Sequence, residues 1–190
     1  MESPIHDNKV FEDVVYTEEI IRGKEFHDCT FKKCDLSNSE FLNCKFIDCV
    51  FEGCNLSMMK LDGTTLNNVV FKHSKILGVN FSRCQDFLFT VQFESCILDY
   101  SSFMGKKMLK TKFIKSSLKE VSFSGTNLAG SVFDDTNLMD AVFSQTDLTG
   151  VNFTTAYNYI FDPELNSIKK AIFSTAGVAG LLSKYGIKIV

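Results

Sequence analysis

The chain has 190 residues and a formal net charge of -3, with 45% hydrophobic residues, 19 Phe, no Trp and two Pro. That length suits one domain with a full core, and the mildly acidic balance excludes a basic surface able to track a phosphate backbone, so direct nucleic-acid binding is not expected. The sequence holds no run of about 18 apolar residues and no basic N-terminal segment leading into an apolar one, so the expected setting is cytoplasmic, with no membrane span.

From Phe11 an apolar residue returns at every fifth position, through Tyr16, Ile21, Phe26, Phe31, Leu36, Phe41, Phe46 and Phe51 to Phe81. A step of five belongs neither to a helix nor to a strand. Two residues before each apolar position stands a small one, such as Cys29, Cys34, Ser39, Cys44 and Cys49, and later Val121, Thr126, Ser131, Thr136, Ala141 and Thr146. The step resumes from Phe93 and runs to Phe153, so the spacing between Phe81 and Leu88 requires a two-residue bulge within residues 82–87. With that bulge, one column reads Phe11, Phe31, Phe51, Phe71, Phe93, Phe113, Phe133 and Phe153, and another passes from Leu66 through Leu88 to Met108.

After Phe153 the pattern lapses through Tyr157, Asn158 and Tyr159. Asp162 and Pro163 open a short helical turn, and the phase returns at Ile168 and Phe173, which extends the Phe column. Ser174 and Thr175 are placed to cap a short helix through Leu181–Tyr185 that Gly186 stops. The apolar residues of this tail need something to be buried against.

The alternation of a small residue, a spacer, Leu or Phe and two polar positions resembles the pentapeptide-repeat family from about residue 9 to residue 155. The resemblance implies an all-β fold, a right-handed quadrilateral parallel β-helix with a short C-terminal helical cap. Four pentapeptides make each square coil, and stacked coils bury each other's apolar rings at the β spacing. Residues 1–155 then form the repeat body, and residues 156–190 the last coil and cap of the same domain.

The residues that suggest chemistry fit this frame. Cys29, Cys34, Cys44, Cys49, Cys54, Cys84 and Cys96 all occupy the small inward position, at a spacing unlike that of zinc ligands. His6, His27 and His73 are scattered, and the recurring glycines, Gly63 and Gly78 among them, sit where a coil turns its corner. No phosphate loop, nucleophile elbow or metal motif is present, so neither a cofactor nor a catalytic activity is expected. Outward charge alternates by coil on the Phe face, as in Lys32, Glu52, Lys72 and Glu94, which suits stacked ion pairs. A basic band of Lys106, Lys107, Lys110, Lys112, Lys115 and Lys119 is followed by an acidic stretch free of Lys and Arg, with Glu120, Asp134, Asp135, Asp140 and Asp147 as the candidate partner surface.

Within the family, Leu77–Cys84 and the closing Gly180–Ile187 segment resemble Qnr-type quinolone-resistance proteins and their gyrase-inhibiting relatives. That resemblance implies a homodimer joined through the C-terminal tail by Val178, Leu181, Leu182, Tyr185, Ile187 and Ile189. It also implies a DNA-mimic role toward DNA gyrase or topoisomerase IV. The alternative is a general protein-interaction scaffold that uses outward apolar residues such as Leu42, Ile47, Leu77, Met104, Leu109, Ile114 and Met139.

Overall fold

The computed structural model describes residues 4–188, so Ile189 lies outside the described residues. It is a four-sided parallel β-solenoid of about eight turns. Each side of a coil is a strand of two to four residues or a single bridge. The Phe side is a nine-stranded parallel sheet running from Val10–Glu12 to Ile172–Phe173. The side before it starts with Ile5–Asp7, Glu25–His27, Lys45–Ile47 and Thr65–Asn67. A third side pairs Ile20–Arg22 with Glu40–Leu42, and the rest is held by isolated bridges such as Val15 to Asp35 and Asn127 to Asp147.

All nine phenylalanines of the expected column stack in it. Phe11 pairs with Phe31, Phe31 with Phe51, Phe51 with Phe71, Phe71 with Phe93, Phe93 with Phe113 and Phe113 with Phe133. Neighbouring rings then continue from Phe133 through Phe153 to Phe173 at 5.1 and 5.2 Å, nearly parallel. Between columns the rings meet edge to face, as Phe113 and Phe123 do at 5.7 Å and 79°. Both arrangements are favourable for aromatic rings. The interior is filled by these contacts: an apolar void lined by Phe46, Phe51, Leu56, Leu61 and Phe81 measures about 10 Å³.

Where the small inward residue carries a hydroxyl or thiol, that group has a second role besides filling space. It donates to the carbonyl of the apolar residue one coil earlier, as from Thr64 Oγ1 to Phe41 O (2.6 Å), Thr136 Oγ1 to Phe113 O (2.9 Å) and Cys49 Sγ to Phe26 O (3.3 Å). A buried polar group is thereby satisfied, which explains why Cys, Ser and Thr share the position with Val and Ala. Two residues after most apolar centres the chain turns its corner in the left-handed region, at Asp13, Lys33, Asn43, Asp48, Asn68 and Glu120 among others. At Gly63, also in the left-handed region, a Cβ would crowd Asn43 Oδ1 and the Asn43 side chain would have to shift.

The regular register breaks in two places, and each time an aromatic ring plugs the gap. Pairing keeps its normal offset through Gln85, whose N–H donates to Thr64 O, and resumes two residues late at Thr90, whose carbonyl accepts from Val69 N. The inserted residues therefore lie at 86–89, overlapping only the end of the expected window. Leu88 does not enter its column. It takes the left-handed corner conformation and is 53% exposed, while Phe89 is buried and faces the Phe81 ring at 6.5 Å. In the eighth coil Asn158 turns outward in the same way, and Tyr159 and Phe161 fill the interior against Phe153 and Phe143.

Short 3₁₀ turns at Gly177–Leu181 and Ser183–Tyr185 close the C-terminal end. Ser174 Oγ accepts from Gly177 N at 3.0 Å, and Gly186 ends the second turn in the left-handed conformation. The cap rests directly on Tyr159, since a Cβ at Gly177 would stand 1.9 Å from its hydroxyl and one at Gly180 2.0 Å from its carbonyl oxygen. Lys184 Nζ ties the cap to the Pro163–Leu165 turn through Asp162 and Glu164, both at 2.8 Å.

Candidate functional site

With the interior occupied, chemistry has to be sought on the outside. The seven cysteines are free and buried. Burial pushes the thiols of Cys49, Cys54 and Cys84 up to about 12 and that of Cys96 to about 11, so they are held as neutral thiols rather than nucleophiles. Among the described residues no group of three or more His, Cys, Asp or Glu is arranged to hold a metal ion, and no helix is long and apolar enough to cross a membrane. His27 lies at the surface, 3.3 Å from Glu25.

The five acidic candidates do not form one patch. Asp134 and Asp135 follow Phe133 on the Phe side, Glu120 and Asp140 follow Leu118 and Leu138 on the next side, and Asp147 precedes Leu148 on the side opposite. Glu120 and Asp140 are exposed at successive turns of the same corner. Two of the five have internal partners. Asp147 Oδ1 accepts from Thr149 N at 3.0 Å, and Asp134 Oδ1 accepts from Thr155 Oγ1 at 2.7 Å. Glu120, Asp135 and Asp140 are the exposed members.

At the C-terminal end, Val178, Tyr185 and Ile187 are exposed, Leu182 is half-buried, and Leu181 is turned into the chain's own core. Between the last coil and the cap runs a groove of about 580 Å³ lined by Thr154, Tyr157, Tyr159, Ile160, Ala176 and Ser183. The Tyr159 hydroxyl is buried there without a hydrogen-bond partner.

Of the outward apolar candidates, Met104, Leu109 and Met139 are exposed, whereas Leu42, Ile47, Leu77 and Ile114 are half-buried between coils. Lys106 does not belong to the basic surface band. It occupies the small inward position before Met108 and is 2% exposed. Its ammonium donates to the Cys84 carbonyl and the Asp86 carboxylate, both at 2.5 Å, and lies 5.3 Å from the centre of the Phe89 ring. Its position, two residues before an apolar centre, was the signal available in the sequence. On the surface above it, Phe87 is 77% exposed.

No curated protein sequence matches the chain. Among solved structures, two trypsin-treated variants of QnrB1, described as a plasmid-mediated fluoroquinolone resistance protein, are similar. One has 16% identity and a TM-score of 0.64 with 98% of each chain covered, and the other 16% identity and 0.68 with 95% of this chain and 100% of that one. At that identity the likeness is one of fold. A family profile described as a pentapeptide repeat region matches residues 24–103, and a second, described as pentapeptide repeats in eight copies, matches residues 116–154. Together with the stacked columns and the four-sided coil, these matches make the chain a member of the pentapeptide-repeat family.

Proposed function

We propose that the protein is a non-catalytic binding rod, homodimeric through its C-terminal end, that modulates a type II topoisomerase such as DNA gyrase or topoisomerase IV. The observation that carries this reading is the column of Glu120 and Asp140, exposed one coil apart at the same corner within a stretch, residues 120–162, that has no Lys or Arg. Joined at the caps, two chains would bring these columns to the middle of the longer rod, where negative potential suits a surface that occupies a DNA-binding groove. The end-to-end likeness to the fold of a fluoroquinolone resistance protein supports the choice of partner. The exposed Val178, Tyr185 and Ile187 supply the apolar contact that a dimer joint needs.

A supercoiling assay with gyrase, with and without a quinolone, tests the function. A change in activity or drug sensitivity at micromolar protein is expected, and weaker effects from the Glu120→Lys/Asp140→Lys variant. No effect of the wild-type protein would sink the topoisomerase reading. For the joint, Ile187→Glu should halve the particle mass in light scattering; an unchanged mass would remove the tail from the interface. A second reading, a scaffold for other proteins, draws on the exposed Met104, Leu109 and Met139, and recovery of a non-topoisomerase partner that these residues control would favour it.

A further inference from the structure

We infer that the bulge at residues 86–89 is a preorganised docking knuckle for an acidic, apolar-centred segment of a partner protein. Phe87, at 77%, and the adjacent Leu88, at 53%, place two large apolar side chains in water at the one point where the repeat body departs from its step. An exposed Phe gains nothing for the fold, and adjacent exposed apolar side chains of this size are candidates for a contact surface.

The knuckle is clamped on both flanks. Before it, the Lys106 ammonium holds the Cys84 carbonyl and the Asp86 carboxylate from inside the coil stack. After it, Phe89 is buried against Phe81. A charged group buried in a slot that between Cys29 and Ala141 otherwise holds Cys, Ser, Thr, Val, Ala or Met is an expensive way to fix a surface turn. Its effect is to remove the ordering cost that a flexible loop would bear on binding.

Charge selects the occupant. The contact between Lys106 and Asp86 sets residues 107–110 on the same side one coil further on, where Lys107, Leu109 and Lys110 are all exposed. Among the described residues neither Lys107 nor Lys110 has an ion-pair partner, whereas Lys45, Lys60, Lys72 and Lys184 on other coils do. Three apolar side chains beside two uncompensated lysines fit Leu or Phe residues flanked by Asp and Glu. This surface is distinct from the acidic band and stands whether or not the rod meets a topoisomerase.

Displayed random 12-residue peptides selected on the wild-type protein are the probe. The enriched sequences should place Asp or Glu around Leu, Phe or Trp. Synthetic versions should bind at least tenfold more weakly to Phe87→Ser/Leu88→Ser and to Lys107→Glu/Lys110→Glu, with melting temperatures unchanged because all four side chains are exposed. Enriched peptides without acidic residues, or binding indifferent to both variants, would overturn the proposal. So would tighter binding of a single-stranded DNA 20-mer or of phosphatidylglycerol vesicles than of any selected peptide, since the surface would then serve another class of partner.

Discussion

Replacing Asp86 by Ala should destabilise the protein more than replacing Lys106 by Met, although the two residues form one ion pair. In the first variant a cation that is 2% exposed keeps only the Cys84 carbonyl and the face of the Phe89 ring as partners. Removing one member of a fully buried pair costs about 3–5 kcal/mol. The Asp86 side chain is 83% exposed, so water already screens it and the expected loss falls to about 2 kcal/mol. In Lys106→Met the buried charge itself disappears and the slot stays filled. The Cys84 carbonyl loses a donor, at about 1 kcal/mol, and the relieved desolvation of the ammonium offsets part of that. For a chain of this size these values correspond to a fall in Tm of about 4–8 °C for Asp86→Ala and under about 4 °C for Lys106→Met. Adding Asp86→Ala to Lys106→Met should cost almost nothing more, because no buried cation remains to be stranded. Thermal unfolding followed by circular dichroism, with hydrogen exchange at residues 84–90 to localise the change, measures all three variants. Equal losses for the single variants, or a larger one for Lys106→Met, would refute the account of Lys106 as a buried cation that depends on its carboxylate.

The hydrogen bonds made by Thr136 predict that Thr136→Ser is tolerated and that Thr136→Val, of the same shape, costs about 1 kcal/mol in chemical denaturation by removing the hydroxyl's bonds to the Phe113 and Asp134 carbonyls. The raised thiol pKa values of Cys49, Cys54, Cys84 and Cys96 predict no reaction of these residues with a thiol reagent at pH 8 in the native protein, and full labelling once it is unfolded; fast native labelling would contradict their burial. Gly180→Ala should lift the cap off Tyr159 and speed hydrogen exchange over residues 177–186, leaving the Phe column protected. Lys184 holds the carboxyls of Asp162 and Glu164 below the usual carboxylate range, so their contribution is present above the unfolded pKa and is lost as pH falls through the folded one. Cap protection should therefore decline below about pH 4, before the body unfolds, and a cap indifferent to acid would remove that anchor.

The body of the fold was legible because two positions in every five face inward, where stacking on identical neighbours admits few residue types. That is why nine phenylalanines from Phe11 to Phe173 fall into one column by counting alone. Where the count breaks, periodicity has nothing to say. Phe87, Leu88 and Phe89 are three consecutive apolar residues, and the one that enters the core is decided by the shape of the gap beside Phe81, which an aromatic ring fills. The same competition puts Tyr159 rather than Asn158 inside. Lys106 was misread for a related reason. Lysine is almost always a surface residue, and only the displaced backbone of the bulge offers its ammonium a carbonyl and a carboxylate within the stack.

The outer positions follow a weaker rule. Stacking rewards opposite charges one coil apart, and Lys45 with Glu25 and Lys60 with Glu40 obey it. It does not dictate which side carries the acid. The Glu120 to Asp162 band therefore looks like one feature along the chain and spreads over three sides of the rod in space, with Asp147 and Asp134 drawn into local hydrogen bonds. Residues five apart in a square solenoid point in directions a quarter turn apart, and only those a full coil apart share a face. A linear cluster is therefore weak evidence for a surface patch, whereas a column such as Glu120 and Asp140, or a local break such as Phe87 and Leu88, concentrates chemistry at one place where a partner can reach it.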